Sequence, residues 1–178
     1  MIKTVLYIAK SLDGFIARPD GNLDWLTSIP NPQTGDYGYA ELLNSIGTII
    51  MGRKTYEEII GFGLDWPYSG YDTYVVTNNG KLTIQTPSTS LLTENLKGFV
   101  TELKKTTKKD IWLVGGGQVI TAFINEDLLD KMIITIIPKI IGEGLPLFAY
   151  KPKETNWKLI EAKSFDTGVV NLNYEKTN

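Results

Sequence analysis

Residues 111–124 run Ile111-Trp112-Leu113-Val114-Gly115-Gly116-Gly117-Gln118-Val119-Ile120-Thr121-Ala122-Phe123-Ile124. Four apolar residues closed off by glycine read as a short buried strand, and Val119, Ile120, Phe123 and Ile124 then mark one face of a helix. Two glycines usually suffice for a strand-to-helix turn, so a third side-chain-free residue leaves room for a ligand to approach the backbone. The same unit stands earlier in the chain. Thr48 to Met51 is a strand, and Gly52-Arg53-Lys54-Thr55 opens a short helix through Ile60. That turn sets a glycine, two cations and a hydroxyl at a helix N-terminus, where free N–H groups and the helix dipole favour an anion. A tight turn with a surface Arg and Lys explains it equally well, and neither turn has the G-x-G-x-x-G or Gly-Lys-Ser/Thr pattern of the familiar phosphate loops.

Outward from these units, Thr4 to Ala9 is a strand rich in β-branched and aromatic residues. A turn-rich passage from Lys10 to Gly35 follows, long enough to suggest a hidden short strand at Phe15 to Ala17. Tyr39, Leu42, Leu43 and Ile46 stand at i, i+3, i+4 and i+7, as do Leu96, Phe99, Val100 and Leu103, the stripe of a helix laid on a core. Thr73 to Val76 is a further strand. After Lys131 the pattern changes to Met132–Ile137, Trp157–Lys163 and Val169–Tyr174, strands with no helix between them, the last two joined at Asp166-Thr167-Gly168. This order predicts one domain over 1–178 with a three-layer α/β/α fold: a mostly parallel mixed sheet with an antiparallel C-terminal edge. Ligands of such sheets bind at the carboxyl ends of the strands.

The 178 residues include neither Cys nor His. Thiol nucleophiles, disulfides, thiolate zinc, Ser/His triads and zinc deaminase chemistry are therefore excluded. An acid or base working near neutral pH must be a carboxylate, Lys or Tyr, or act through water. Eighteen basic against twenty acidic residues, a net charge of −2, give no electrostatic reason to expect nucleic acid or an anionic membrane. No apolar run approaches the roughly 18 residues of a membrane span, and the first residues hold too short an apolar stretch for a signal peptide followed by a cleavage site, so the expected location is the cytoplasm.

Among the carboxylates, Asp36 falls three residues before Tyr39 and seven before Leu43, extending the apolar face of that helix. It is either an N-cap or a site group. Asp13-Gly14 and Asp20-Gly21 fit turn chemistry. Trp25, Trp66 and Tyr68 lie in long loops and suit either the wall of a flat-ring pocket or the capping of a core. Ile133 to Ile141 is apolar enough to support a homodimer, though burial within one subunit accounts for it as well.

Taken together, Ser11-Leu12-Asp13-Gly14-Phe15-Ile16-Ala17, Met51-Gly52-Arg53-Lys54-Thr55-Tyr56-Glu57, Trp112 to Gln118 and Pro138-Lys139-Ile140-Ile141-Gly142-Glu143-Gly144-Leu145-Pro146-Leu147-Phe148 resemble the dihydrofolate reductase superfamily. The first and last blocks resemble its branch named for the C-terminal reductase domain of riboflavin biosynthesis. The resemblance spans nearly the whole chain and implies an NADPH site. Gly52, Arg53, Lys54 and Thr55 would hold phosphates, with Arg53 near the adenosine 2′-phosphate and Thr55 on the pyrophosphate. Thr77 and Asn78 would border the adenosine. Val114 leads into Gly115 and Gly116, which would form a cis peptide beside the nicotinamide; Gly117 and Gln118 would start the helix facing the pyrophosphate. Ala9, Ile16 and Ala17 would touch the carboxamide edge. Asp36 precedes Met51 by fifteen positions, the interval of the substrate carboxylate in dihydrofolate reductases, and Leu23, Trp25 and Tyr39 would complete a substrate pocket.

The resemblance implies an NADPH-dependent reductase acting on an imine or carbonyl of a small heterocyclic molecule, similar to 5-amino-6-(5-phosphoribosylamino)uracil reductase. Leu23-Asp24-Trp25 replaces the usual Leu-Pro-Trp, and Gly61 to Trp66 offers no Arg for a folate glutamate, so dihydrofolate reductase is the second reading. A non-catalytic NADP-binding protein is the third.

Overall fold

In a computed structural model, which describes residues 1–33 and 35–177, the central strands are those with the most continuous apolar sequence. β1 (Thr4–Ser11), β3 (Ile46–Gly52) and β6 (Asp110–Gly115) lie side by side. Their side chains alternate between two cores. Leu6, Ile50 and Leu113 point to one face and pack with α4 (Leu96–Thr106) and α5 (Gly117–Asn125). Val5, Ile49, Met51 and Trp112 point to the other, under α2 (Tyr39–Ser45) and α3 (Arg53–Gly61). A sheet covered on both faces is what such uninterrupted strands require.

The full sheet adds β4 (Asp72–Val76), β5 (Thr89–Leu92), β7 (Lys131–Ile137), β9 (Trp157–Ser164) and β10 (Val170–Lys176) in the order β5-β4-β3-β6-β1-β7-β10-β9. The first six pair in parallel; β10 runs antiparallel to both β7 and β9. The α/β/α architecture with its antiparallel C-terminal edge is thus as the sequence predicts. Three elements escape the pattern for want of length: α1 (Asp24–Thr27), the sheet-edge strand β5 and the two-residue β8 (Leu145–Pro146). The hidden strand, β2 (Phe15–Ala17), exists and pairs with β8.

In the apolar segment weighed for a dimer, Ile134 and Ile137 are buried in the subunit's own core and Ile140 is exposed. No helix among the described residues is long and apolar enough to cross a membrane.

Leu113 is fully buried at the centre of the sheet. Leu113→Ala is expected to cost about 2–5 kcal/mol in urea unfolding, whereas Leu64→Ala, at a side chain 78% exposed, should stay within about 0.5 kcal/mol.

Candidate active site

The pairing of β3 with β6 sets Met51 opposite Gly115, so the two glycine turns leave the sheet side by side. Two nine-residue helices start there, α3 at Arg53 and α5 at Gly117. Neither N-terminus is closed by a side-chain cap. The start of α4 is built differently: the Asn95 side chain accepts from the Gly98 amide. The α3 and α5 turns are tied together by the Gly116 N–H, which donates to Thr55 Oγ1 at 3.0 Å. Two adjacent uncapped helix ends lined by glycine form a cradle for an anion.

The glycines divide the work differently from expectation. The Gly115–Gly116 peptide is trans, and Gly115 takes a positive φ of 145°. A Cβ on Gly116 would meet only Thr55 Oγ1, at 3.5 Å. The crowded residue is Gly117, whose Cβ would lie 2.5 Å from the Pro146 carbonyl oxygen. Gly52 is also tight, at 2.9 Å from Val119 Cγ2.

Arg53 Nη1 donates to both Glu57 carboxylate oxygens at 2.8 Å across one turn of α3, and Lys54 is exposed. An exposed ion pair of this kind holds the guanidinium only weakly. One strand over, Gly52 pairs with Val76, so Thr77 follows beside Arg53. Thr77 is buried and its hydroxyl accepts from the Asn79 amide. Thr77, Asn78, Leu92 and Glu94 line a shallow cavity of about 220 Å³ at the carboxyl ends of β4 and β5. Val114 is half-buried, and Gln118 Nε2 donates to the Tyr150 hydroxyl.

On the other side of β6, Ala9 and Ile16 are half-buried and Ala17 is buried. Blocks one and four of the sequence are two halves of a single clamp. The Asp13 carboxylate accepts from the Ile141 and Gly142 amides, Leu12 N–H donates to Lys139 O, and Leu147 N–H donates to Gly14 O. The Ser11 hydroxyl, and then those amides, hold the Asp13 carboxyl below its ordinary range. Asp13 is therefore structural, as its turn chemistry suggests.

Asp36 is half-buried and visibly caps: Oδ2 accepts from the Ala40 amide at 2.7 Å and Oδ1 from Gly38 at 3.2 Å. Its charge also reaches the two phenols beneath it. Tyr7 is pushed up to about 12 by burial, with the Thr135 hydroxyl opposing and the Asp36 charge adding a smaller rise; Tyr39 is raised by burial, against the Tyr68 hydroxyl, with Tyr71 and then Asp36 adding to the rise. Tyr39 stacks edge-on to Trp112 at 5.9 Å and lies 6.2 Å from Tyr7. Leu23 is half-buried and its carbonyl accepts from Leu26 and Thr27, starting α1. Trp25 is buried against Ile137 and Val169 rather than lining an open wall. Trp66 and Tyr68 join Tyr56 and Trp112 in an aromatic core.

Sequence reading missed Tyr7, Tyr37, Thr135 and Asn171. The Tyr37 carbonyl accepts from the Tyr7 hydroxyl at 3.2 Å and from Asn171 Nδ2 at 2.6 Å. Tyr7 was legible, two residues before Ala9 on the same face of β1. Asn171 was not, because only the β7–β10 register sets it opposite Thr135.

A covered parallel sheet with an antiparallel edge and two open helix ends at its centre is the architecture of dihydrofolate-reductase-like proteins. Within that class the chain belongs to the RibD C-terminal domain family, whose family model matches residues 3–171. It is 38% identical over 167 residues to the uncharacterized protein YwjB of Bacillus subtilis (strain 168), spanning 94% of each chain. A solved putative riboflavin biosynthesis protein from Shewanella sp. PV-4 superposes with a TM-score of 0.90 at 31% identity, covering 99% of this chain and 100% of that one. The fold alone extends to a dihydrofolate reductase from Enterococcus faecalis solved with NADP(H), at 17% identity and a TM-score of 0.68 over 99% of this chain and 97% of that one.

Because Gly117 and not Gly116 abuts backbone, Gly117→Ala should lower stability by about 1–3 kcal/mol through overpacking. Gly116→Ala should leave the melting temperature within about a degree or two. Thermal unfolding of the two variants side by side checks the assignment.

Proposed function

We propose that the protein is a single-domain NADPH-dependent reductase that delivers a hydride to an imine or carbonyl carbon of a small heterocyclic substrate, similar to the uracil reductase of riboflavin biosynthesis. The observation that carries this reading is the pair of uncapped helix N-termini at Arg53 and Gly117, joined through Thr55. Together with family membership it supports a dinucleotide whose pyrophosphate lies across the two turns. The residues fit the group: glycines where its backbone contacts must be close, Thr55 between the turns, and Arg53 held only by an exposed partner. NADPH, when bound, supplies the hydride.

The chain's own residues bind, orient and exclude water. Thr77 and Asn78 border the adenosine end, and Val114, Gly115, Gly117 and Gln118 line the pyrophosphate and nicotinamide. Ala9, Ile16 and Ala17 meet the carboxamide edge. Asp36 faces the substrate, where it accepts a ring N–H or passes a proton from water to the atom beside the reduced carbon. Its two capping bonds hold it fixed for that task. Tyr39 shapes the same end of the cleft, while Leu23 and Trp25 set the position of α1 behind it.

NADPH should bind with micromolar or better affinity by fluorescence titration, and NADH more weakly. Arg53→Ala should weaken NADPH by about tenfold or more and NADH much less, since an Arg grips a phosphate dianion through charge-assisted hydrogen bonds. Equal losses would remove Arg53 from the 2′-phosphate.

Asp36→Asn separates the two roles of that carboxylate. Asn caps about as well as Asp, so the melting temperature and NADPH affinity should barely move. Turnover, followed as NADPH absorbance against a panel of pterins and aminopyrimidines, should fall by about a hundredfold. Unchanged turnover would leave Asp36 as a cap alone.

A further inference from the structure

Asn79 is the only asparagine of the sequence followed by glycine, and every other asparagine inside the chain precedes a residue with a side chain. The pair lies just past the end of β4, where Asn78, Asn79 and Gly80 are all exposed. Glycine puts no side chain in the way of its own nitrogen, so that nitrogen can reach the carbonyl carbon of the asparagine side chain before it. The local geometry favours the approach. Asn79 Oδ1 accepts from the Lys81 amide at 3.1 Å, an Asx turn, in which the side chain copies the shape of a backbone turn and folds its carbonyl carbon over the peptide that follows. The same Lys81 N–H meets the negative charge that the carbonyl oxygen gains when a nucleophile adds to it. Among the described residues, the Gly80 N–H donates no hydrogen bond to the protein, and neither does Asn79 Nδ2, the group that has to leave. The turn is closed by the Leu82 N–H to Asn79 O at 3.2 Å, the long end of the normal range, so ring closure disturbs little. Space is open as well: a Cβ on Gly80 would touch only Thr93 Cγ2, at 3.9 Å.

Thr93 ties this turn to the cavity of about 220 Å³ at the carboxyl ends of β4 and β5, which it lines with Thr77, Asn78 and Glu94. The Asn79 N–H donates to the Thr77 hydroxyl in the same wall. The Asn-Gly turn is therefore the outer lip of a cavity that already carries one carboxylate, Glu94. We infer that Asn79 is a self-modification site. Gly80 N gives up its proton to a solvent base and bonds to Asn79 Cγ, Nδ2 leaves as ammonia, and water opens the resulting cyclic imide at either carbonyl, leaving an aspartyl or isoaspartyl carboxylate. Water is the co-reactant, and nothing is oxidised or reduced. A neutral amide at the lip becomes a second negative charge beside Glu94, which repels a phosphate-bearing ligand from the cavity. The modification stands on the turn alone; its effect on the cofactor rests on the reductase reading, which sets the adenosine end of NADPH beside Thr77 and Asn78.

The test ages the full chain in neutral buffer, folded and in parallel in guanidinium chloride, and follows every asparagine by peptide mass mapping with detection of isoaspartate. In the folded protein Asn79 should convert ahead of all other asparagines, at a rate within about tenfold of the unfolded chain's. A slower native rate would mean that the fold shields the turn, and would overturn the assignment. Gly80→Ala, whose methyl group blocks the approach, should slow conversion by about tenfold or more while the melting temperature holds; Asn79→Gln, which lengthens the side chain, is the second block should that variant misfold. Conversion at the wild-type rate in both would also overturn it. Asn79→Asp stands in for the product: by fluorescence titration it should bind NADPH about threefold less tightly than wild type, with a smaller loss for NADH, which lacks the 2′-phosphate. Unchanged NADPH affinity in Asn79→Asp would overturn the effect on the cavity. Failure of wild type to bind NADPH would overturn the reductase reading instead, while the peptide maps still report on Asn79.

Discussion

The parallel pairing of β3 with β6 is the constraint from which the rest of the molecule follows. Ile49, Ile50, Met51, Ile111 and Leu113 are all fully buried along it, and a slip by one residue would exchange the two core faces. In the observed register, Met51 meets Gly115, and the chains leave the sheet together. Each must turn back along its own face, α3 on one side and α5 on the other, so two helix N-termini meet at the sheet's upper edge. Side-chain caps are absent there and present at α4. The adjacent glycine turns are a by-product of burying two apolar strands next to each other.

A second constraint joins the loops on the other side of β6. The loop after β1 and the loop after β7 leave neighbouring strands, and their contact is made by backbone hydrogen bonds, by β2–β8 pairing and by the Asp13 carboxylate. A Cβ on Gly144 would run into the Ala17 carbonyl, which accounts for the glycine in that block. The clamp presents Pro146 to Gly117 and so packs the loop after β7 against the start of α5. Four separate sequence blocks thus prove to be two contacts, turn against turn and loop against loop.

Asp36 is a carboxylate fixed at the start of α2. Its bonds to Gly38 and Ala40 start α2, and its charge adds to the burial that raises the Tyr7 and Tyr39 phenols. The cap and the site role are compatible, because a capping carboxylate is a fixed carboxylate. Tyr37, one residue on, adopts a left-handed conformation (φ 61°) and uses its carbonyl to collect the Tyr7 hydroxyl and the Asn171 amide. The strap carrying both residues is built against polar groups of two strands, β1 and β10.

The sequence by itself determined what depends on neighbours along the chain. Strand–glycine–helix units at Met51–Thr55 and Val114–Gln118, helical stripes at Tyr39 and Leu96, and the hairpin turn at Asp166-Thr167-Gly168 are each set by local periodicity and backbone freedom, and they define the α/β/α order. Short elements such as α1 and β8 left no readable period. The tertiary structure alone decided the questions of register and approach. Which glycine is crowded depends on a loop 29 residues away in sequence, which is why Gly117 and not Gly116 meets Pro146. That Trp25 is core, and that Thr135, Asn171 and Asn173 share a face beside Ala9, depends on β7 pairing with β1 and β10. A polar residue on a strand reads from sequence as a solvent-facing one; it becomes a buried acceptor only when the sheet and the strap above it close around it.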